Sequence, residues 1–94
     1  RGYWCAISWL TTIAAARKQY ERCLELAEPF TVLSFKECEV FADQNPICRS
    51  KRTVQHLISA SETCYALGDN TTADILKQKA NLIRGNLSWN SHIF

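Results

Sequence analysis

Glycine and proline are scarce in this chain, at three and two of 94 residues. That scarcity excludes a turn-dense β architecture. No Asn-Gly or Asp-Gly pair is present to close a tight hairpin. Apolar runs are short, and none approaches the ~18 residues that a membrane span needs. Neither charge sign dominates: the net charge is +2, too small by itself to point to nucleic acid. There is no glycine-rich phosphate loop, no HExxH helix and no CxxC pair, so phosphate-transfer, zinc-hydrolase and dithiol chemistry have no anchor in the sequence. What is abundant is apolar and helix-forming: 47% of residues are hydrophobic and 21% charged. These proportions predict one all-α globular domain over residues 1–94. Its start at Arg1 is compatible with a piece cut from a longer protein.

The apolar spacing predicts three long helical paths. From about Tyr3 to Ala27, the residues Cys5, Trp9, Ile13, Ala16, Tyr20, Cys23 and Ala27 recur in steps of four or three. Ala14-Ala15-Ala16 favours helix, and Pro29 is expected to stop it. A second path starts near Thr31 with Leu33, Phe35, Cys38, Phe41 and Ala42, and Ser34 interrupts its stripe. At Asn45-Pro46 this path either kinks or restarts, because proline removes one helical hydrogen bond. It resumes through Val54, Leu57, Ile58, Ser61, Cys64 and Tyr65 and ends at Gly68, a residue suited to a left-handed cap. Asp69, Asn70 and Thr71 can each cap a third path, and Thr71 with Asp74 fits a capping box. Its stripe is Ile75, Leu76, Ala80, Leu82 and Ile83, and Trp89 follows. The expected core is Trp9, Phe41, Leu57, Leu76 and Trp89.

Three features bear on cellular address. The five cysteines, Cys5, Cys23, Cys38, Cys48 and Cys64, would leave one thiol over if disulfides formed. Cys5 and Cys23 lie about 27 Å apart on one helix and cannot bond each other. Cys23 and Cys38 could meet across the Pro29 turn. Most of the five fall on or beside apolar stripes, where reduced cysteine serves as a small buried hydrophobe. Asn70-Thr71-Thr72 and Asn86-Leu87-Ser88 fit the glycosylation pattern, which carries meaning only in a secreted protein. Arg49-Ser50-Lys51-Arg52 fits a processing site or an acidic-surface binder, and its plainer reading is a solvated helix start.

No constellation of residues reads as catalytic. His56 is expected at the surface or core edge of a helix, and His92 in the tail. Cys64 sits about 12 Å along the helix from His56, too far to form an activated pair. Glu21, Glu25, Glu28, Glu37 and Glu39 read as solvated faces. No catalytic, cofactor-binding or metal-ligating residue is assigned.

Trp9-Leu10, then Glu39-Val40-Phe41, then Val54, Leu57 and Ala60, then Leu67-Gly68, Ile75 and Trp89 follow one another in an order that resembles a spectrin repeat. The resemblance implies an antiparallel three-helix bundle, its second helix kinked or broken near Pro46. It implies a non-enzymatic, cytoplasmic scaffold that spaces domains, or docks a protein partner through an exposed helix face, in a cytoskeletal or signalling protein. It departs from that family at Pro46 and in the late position of Trp89. The stretch Tyr65-Ala66-Leu67-Gly68 also resembles a tetratricopeptide unit, but no second copy follows at that family's period. The alternative is a secreted helical ligand or toxin-like protein held by two disulfides, with one thiol left for dimerisation.

Overall fold

The computed structural model describes the backbone of residues 2–91 and the side chains of residues 9–85. Among the described residues there are five α-helices and no strand: α1 (Gly2–Ala16), α2 (Tyr20–Thr31), α3 (Phe35–Gln44), α4 (Ile47–Ala66) and α5 (Asn70–Ser91). The expected path from Tyr3 to Ala27 is therefore two helices, not one. Lys18 takes a left-handed backbone, φ 58°, and breaks it. Its amide donates to the carbonyl of Ala15, and the Gln19 amide reaches back to Ala14. This closes α1 as a Schellman cap normally closed by glycine. α2 then folds back to pack on α1. The expected stop at Pro29 is also corrected. Pro29 is exposed and lies within the last turn of α2, which runs on to Thr31. Continuing the helix places Phe30 in the core at 1% exposure.

The second path restarts at Pro46. Asn45 ends α3 in an extended conformation, Pro46 is the N-cap residue of α4, and helix resumes at Ile47. The Asn45 side chain binds this joint together: its amide donates to the carbonyl of Phe41 and its oxygen accepts from Arg49. Ser34, read as a gap in an apolar stripe, is instead the N-cap of α3. Its hydroxyl accepts from the Glu37 amide at 3.0 Å, and the Glu37 carboxylate accepts from the Ser34 amide at 2.9 Å. α5 is capped by Asp69, whose carboxylate accepts from the Thr72 amide, and not by the expected Thr71–Asp74 box. Asp74 accepts the Tyr65 hydroxyl proton instead.

α4 is the central element. It packs on α5 across its apolar face and on α1 and α2 across the other, while α3 lies mainly on α5. The α4–α5 contact is close because the facing side chains are small: Ala60, Ala73 and Ala80 are fully buried. Leu57, Leu76 and Ile83 fill the remaining space. Of the expected core, Phe41, Leu57 and Leu76 are buried, Trp9 is 68% exposed, and the side chain of Trp89 lies outside the described residues. Trp9 is displaced because the break at Lys18 leaves α1 free to turn another face inward. Thr11 and Ala14 are the α1 residues buried in its place.

The two helical hairpins, α1–α2 and α4–α5, are built alike. The turn bonds of Arg17, Lys18 and Gln19 recur at Leu67, Gly68 and Asp69, fifty residues later, with the same carbonyl spacing. Lys18 and Gly68 are the two described residues at positive φ. At the same offset, Thr11 matches Ser61, Ala14 matches Cys64, Cys23 matches Ala73 and Phe30 matches Ala80, and all eight are buried. The stretch at Tyr65–Gly68 therefore has a structural counterpart at Ala15–Lys18. Helix α3, lying between the hairpins, accounts for much of the long offset.

The two turns make opposite predictions. Lys18 carries a left-handed strain of about 1 kcal/mol that Gly68 avoids. Lys18→Gly is expected to raise the thermal midpoint by about 4–8 °C, and Gly68→Ala to lower it by a similar amount. No atom lies within 4 Å of a Cβ placed at Gly68, so the effect there comes from the backbone alone. Thermal unfolding followed by circular dichroism reads both.

Candidate functional site

Several buried side chains of α4 are polar, and two of them, His56 and Thr63, meet α2. Ser50, Thr53, His56 and Thr63 on α4, and Thr11 on α1, are each no more than 2% exposed. Thr53 satisfies its hydroxyl locally on the carbonyl of Arg49, at 2.9 Å. Thr63 donates to the sulfur of Cys23 on α2 at 3.3 Å. His56 is stacked on Phe30 of α2, ring centroids 4.0 Å apart and nearly parallel at 6°. Neither ring nitrogen of His56 has a hydrogen-bond partner among the described residues, and neither does the Ser50 hydroxyl. The expectation of a surface or core-edge His56 is corrected: its ring is at 1% exposure. Burial, and then the positive charge of Arg52, push its pKa down to about 4. A neutral ring stacked on phenylalanine packs as an aromatic.

The cysteines follow the same division between inside and outside. Cys23, Cys38 and Cys64 are buried free thiols, and Cys48 is an exposed one. Burial raises the pKa of Cys38 and Cys64, so both favour the unreactive thiol form. Cys23 and Cys38 do not pair across the α2–α3 connection: Cys23 meets Thr63, and Cys38 joins the core beneath α3. The side chain of Cys5 lies outside the described residues, as do His92 and the side chain of Asn86. Asn70 is exposed at the first turn of α5.

Arg49–Arg52 forms part of the first two turns of α4. Ser50 within it is fully buried, so a protease that reads extended chain cannot seat the run without unwinding the helix. Glu21, Glu25, Glu28, Glu37 and Glu39 are all exposed, as expected. Among the described residues no three histidine, cysteine or carboxylate side chains gather as a metal site.

Two hollows flank the outer ridge of α4. One, of about 410 Å³, lies where α1, α2 and α4 meet, lined in part by Ala15, Lys18, Tyr20, Ser59 and Glu62. The other, of about 270 Å³, is a groove between α4 and α5. Ile58, Ser61, Glu62 and Tyr65 form one wall, and Lys77, Asn81 and Arg84 the other. Elsewhere, apolar side chains stand in solvent as neighbours: Trp9 with Leu10 on α1, and Val32 with Phe35 at the α2–α3 turn. The second pair is partly screened by Lys79, whose ammonium lies 5.6 Å from the Phe35 ring centre and donates to the carbonyl of Thr31. Sequence reasoning placed Ile58, Ser61 and Tyr65 on one stripe but missed the groove, because its other wall is the polar stripe of a second helix. No family model, curated protein or solved structure matches this chain.

The buried histidine sets a pH dependence. Its folded pKa lies below its unfolded value of 6.5. The stability it permits is therefore complete above pH 6.5 and is lost as pH falls toward 4. The full loss is on the order of 3 kcal/mol for a shift of this size. Urea midpoints at pH 7, 5.5 and 4 are expected to fall in the native chain, and to fall by distinctly less in His56→Leu. Parallel curves for the two proteins would refute the assignment. Position-resolved alkylation of the folded protein is likewise expected to label Cys48 within minutes, and Cys23, Cys38 and Cys64 only after denaturation.

Proposed function

We propose that this chain is a non-enzymatic interaction or scaffold module that docks protein partners through exposed helix faces. The observation that carries this reading is a mismatch between the two hairpins. Leu10 on α1 stands where Ala60 stands on α4. Ala60 is fully covered, whereas Leu10 is 45% exposed beside Trp9. Leucine and tryptophan adjacent in solvent form the kind of apolar edge that marks a contact surface. Tryptophan is also among the residues that dominate contact energies.

The spectrin-repeat reading survives in part as a proposal. A spacer of that kind needs three long rods. The chain folds back at Lys18 and restarts at Pro46, which favours docking over spacing. The buried free thiols of Cys23, Cys38 and Cys64 support a reducing, cytoplasmic address over a disulfide-held secreted ligand. No described helix is long and apolar enough to cross a membrane.

The test is a matched pair of proteins. Trp9→Glu combined with Leu10→Glu is expected to keep the native unfolding midpoint within about 0.5 kcal/mol, since both sites are exposed. It is expected to lose at least one protein that the native chain retains from an extract of its source cells. If the retained proteins are identical for native and variant chains, the α1 edge is not a docking face.

A further inference from the structure

The internal repeat says what the groove of the second hairpin is shaped to hold. In the first hairpin, the corresponding face is covered by a helix, α4, which packs on both α1 and α2. That face carries Ala15 and Ala27, the second of them fully buried. Fifty residues later the matching positions are Tyr65 and Lys77, and both are exposed. Hairpin two thus presents the same two-helix cradle with a different chemistry along its walls.

Those walls are asymmetric. On α4, Ile58 and the ring of Tyr65 offer apolar contact. The Tyr65 hydroxyl is already committed to Asp74 of α5, which fixes the ring at the end of the groove. On α5, Lys77, Asn81 and Arg84 recur at steps of four and three, forming one stripe of two cations and an amide. Neither Lys77 nor Arg84 has an ion-pair partner among the described residues. Glu62 tops the α4 wall and is shared with the neighbouring hollow, where Lys18 lies. The groove encloses about 270 Å³. That is below the usual range for a small-molecule site, and suits a few side chains of a docked segment.

We propose that the groove between α4 and α5 takes an acidic amphipathic helix of a partner protein. The helix sets apolar side chains on Ile58 and Tyr65 and carboxylates along Lys77, Asn81 and Arg84. This assignment rests on the interaction-module reading and gives that module a second face and a partner chemistry. Helix-in-groove recognition of this kind reads apolar anchors at helical spacing, and the flanking charges set orientation. A basic helix meets Lys77 and Arg84 and is rejected.

The experiment is a selection from a phage-displayed library of helical peptides with randomised outer faces, against the intact 94-residue chain. Enriched peptides are expected to combine an apolar stripe with aspartate or glutamate at its edge. By fluorescence anisotropy, their affinity is expected to fall at least tenfold for Lys77→Glu combined with Arg84→Glu, and to weaken as sodium chloride is raised. Both sites are exposed, so circular dichroism of the variant is expected to match the native chain. Binders that ignore the Lys77/Arg84 change but are lost with Trp9→Glu overturn the groove and leave the interaction-module reading standing. Enriched basic peptides overturn the acidic assignment. A library that yields no binder to either face overturns both readings.

Discussion

The hydrogen bond from the Ser61 hydroxyl to the carbonyl oxygen of Ala73, 2.7 Å long and buried, requires α4 and α5 to cross with their backbones close together. Only small side chains permit that approach, and Ala60, Ala73 and Ala80 supply them at the crossing. Overfilling such a contact costs typically 1–3 kcal/mol, because neighbours in a packed interior have no free volume to give. The long hairpin of α4 and α5 is thus held by backbone proximity as much as by its larger apolar residues. The rest of the molecule is arranged on it: α3 lies on α5, and the first hairpin lies on α4.

The two sides of α4 are not equivalent. Toward α5, apart from the Ser61 hydroxyl, the buried contacts are apolar, with Leu57, Leu76 and Ile83 in one cluster. Toward α2 they include the Thr63 hydroxyl and the His56 imidazole, both of whose nitrogens lack partners among the described residues. A buried polar atom without a partner costs about 1–3 kcal/mol. The stack on Phe30 offsets part of that. The seam between α2 and α4 therefore carries a polar cost at His56, and acid raises it by favouring the charged ring.

The helical class and the left-handed cap at Gly68 were legible in the sequence; Pro46 was legible as an interruption whose form, kink or restart, stayed open until the structure showed a restart. The break at Lys18 was not legible. Lysine in a left-handed turn carries no local signal, and the apolar steps through Ile13, Ala16 and Tyr20 run across it without interruption. That single unreadable residue turned a supposed rod into a hairpin and moved Trp9 from core to solvent. Ser34 and Glu37 show the opposite failure. A Ser-x-x-Glu box was present, but the hydrophobic pattern absorbed its serine as a gap. Pro29 was over-read, because a proline in a final turn forfeits only one hydrogen bond and Phe30 beyond it gains full burial. The groove between α4 and α5 was missed because periodicity finds one helix's stripe at a time: Ile58, Ser61 and Tyr65 were read on α4, but their facing wall of Lys77, Asn81 and Arg84 is exposed.

The repeat was hidden for a related reason. Several equivalent positions share burial but not identity: Thr11 with Ser61, Ala14 with Cys64, Cys23 with Ala73, Phe30 with Ala80. Where the residues differ in character, the difference tracks what each hairpin faces. Ala15 half-buried and Ala27 fully buried belong to a face that another helix covers. Tyr65 and Lys77 belong to a face left to solvent. An apolar face there would invite indiscriminate packing of further helices, and the charge along its wall restricts what can pack. The α4–α5 groove is lined in part by charge, while the α1 edge holds Trp9 and Leu10 in solvent. The two faces differ in chemistry, so partners suited to them differ as well.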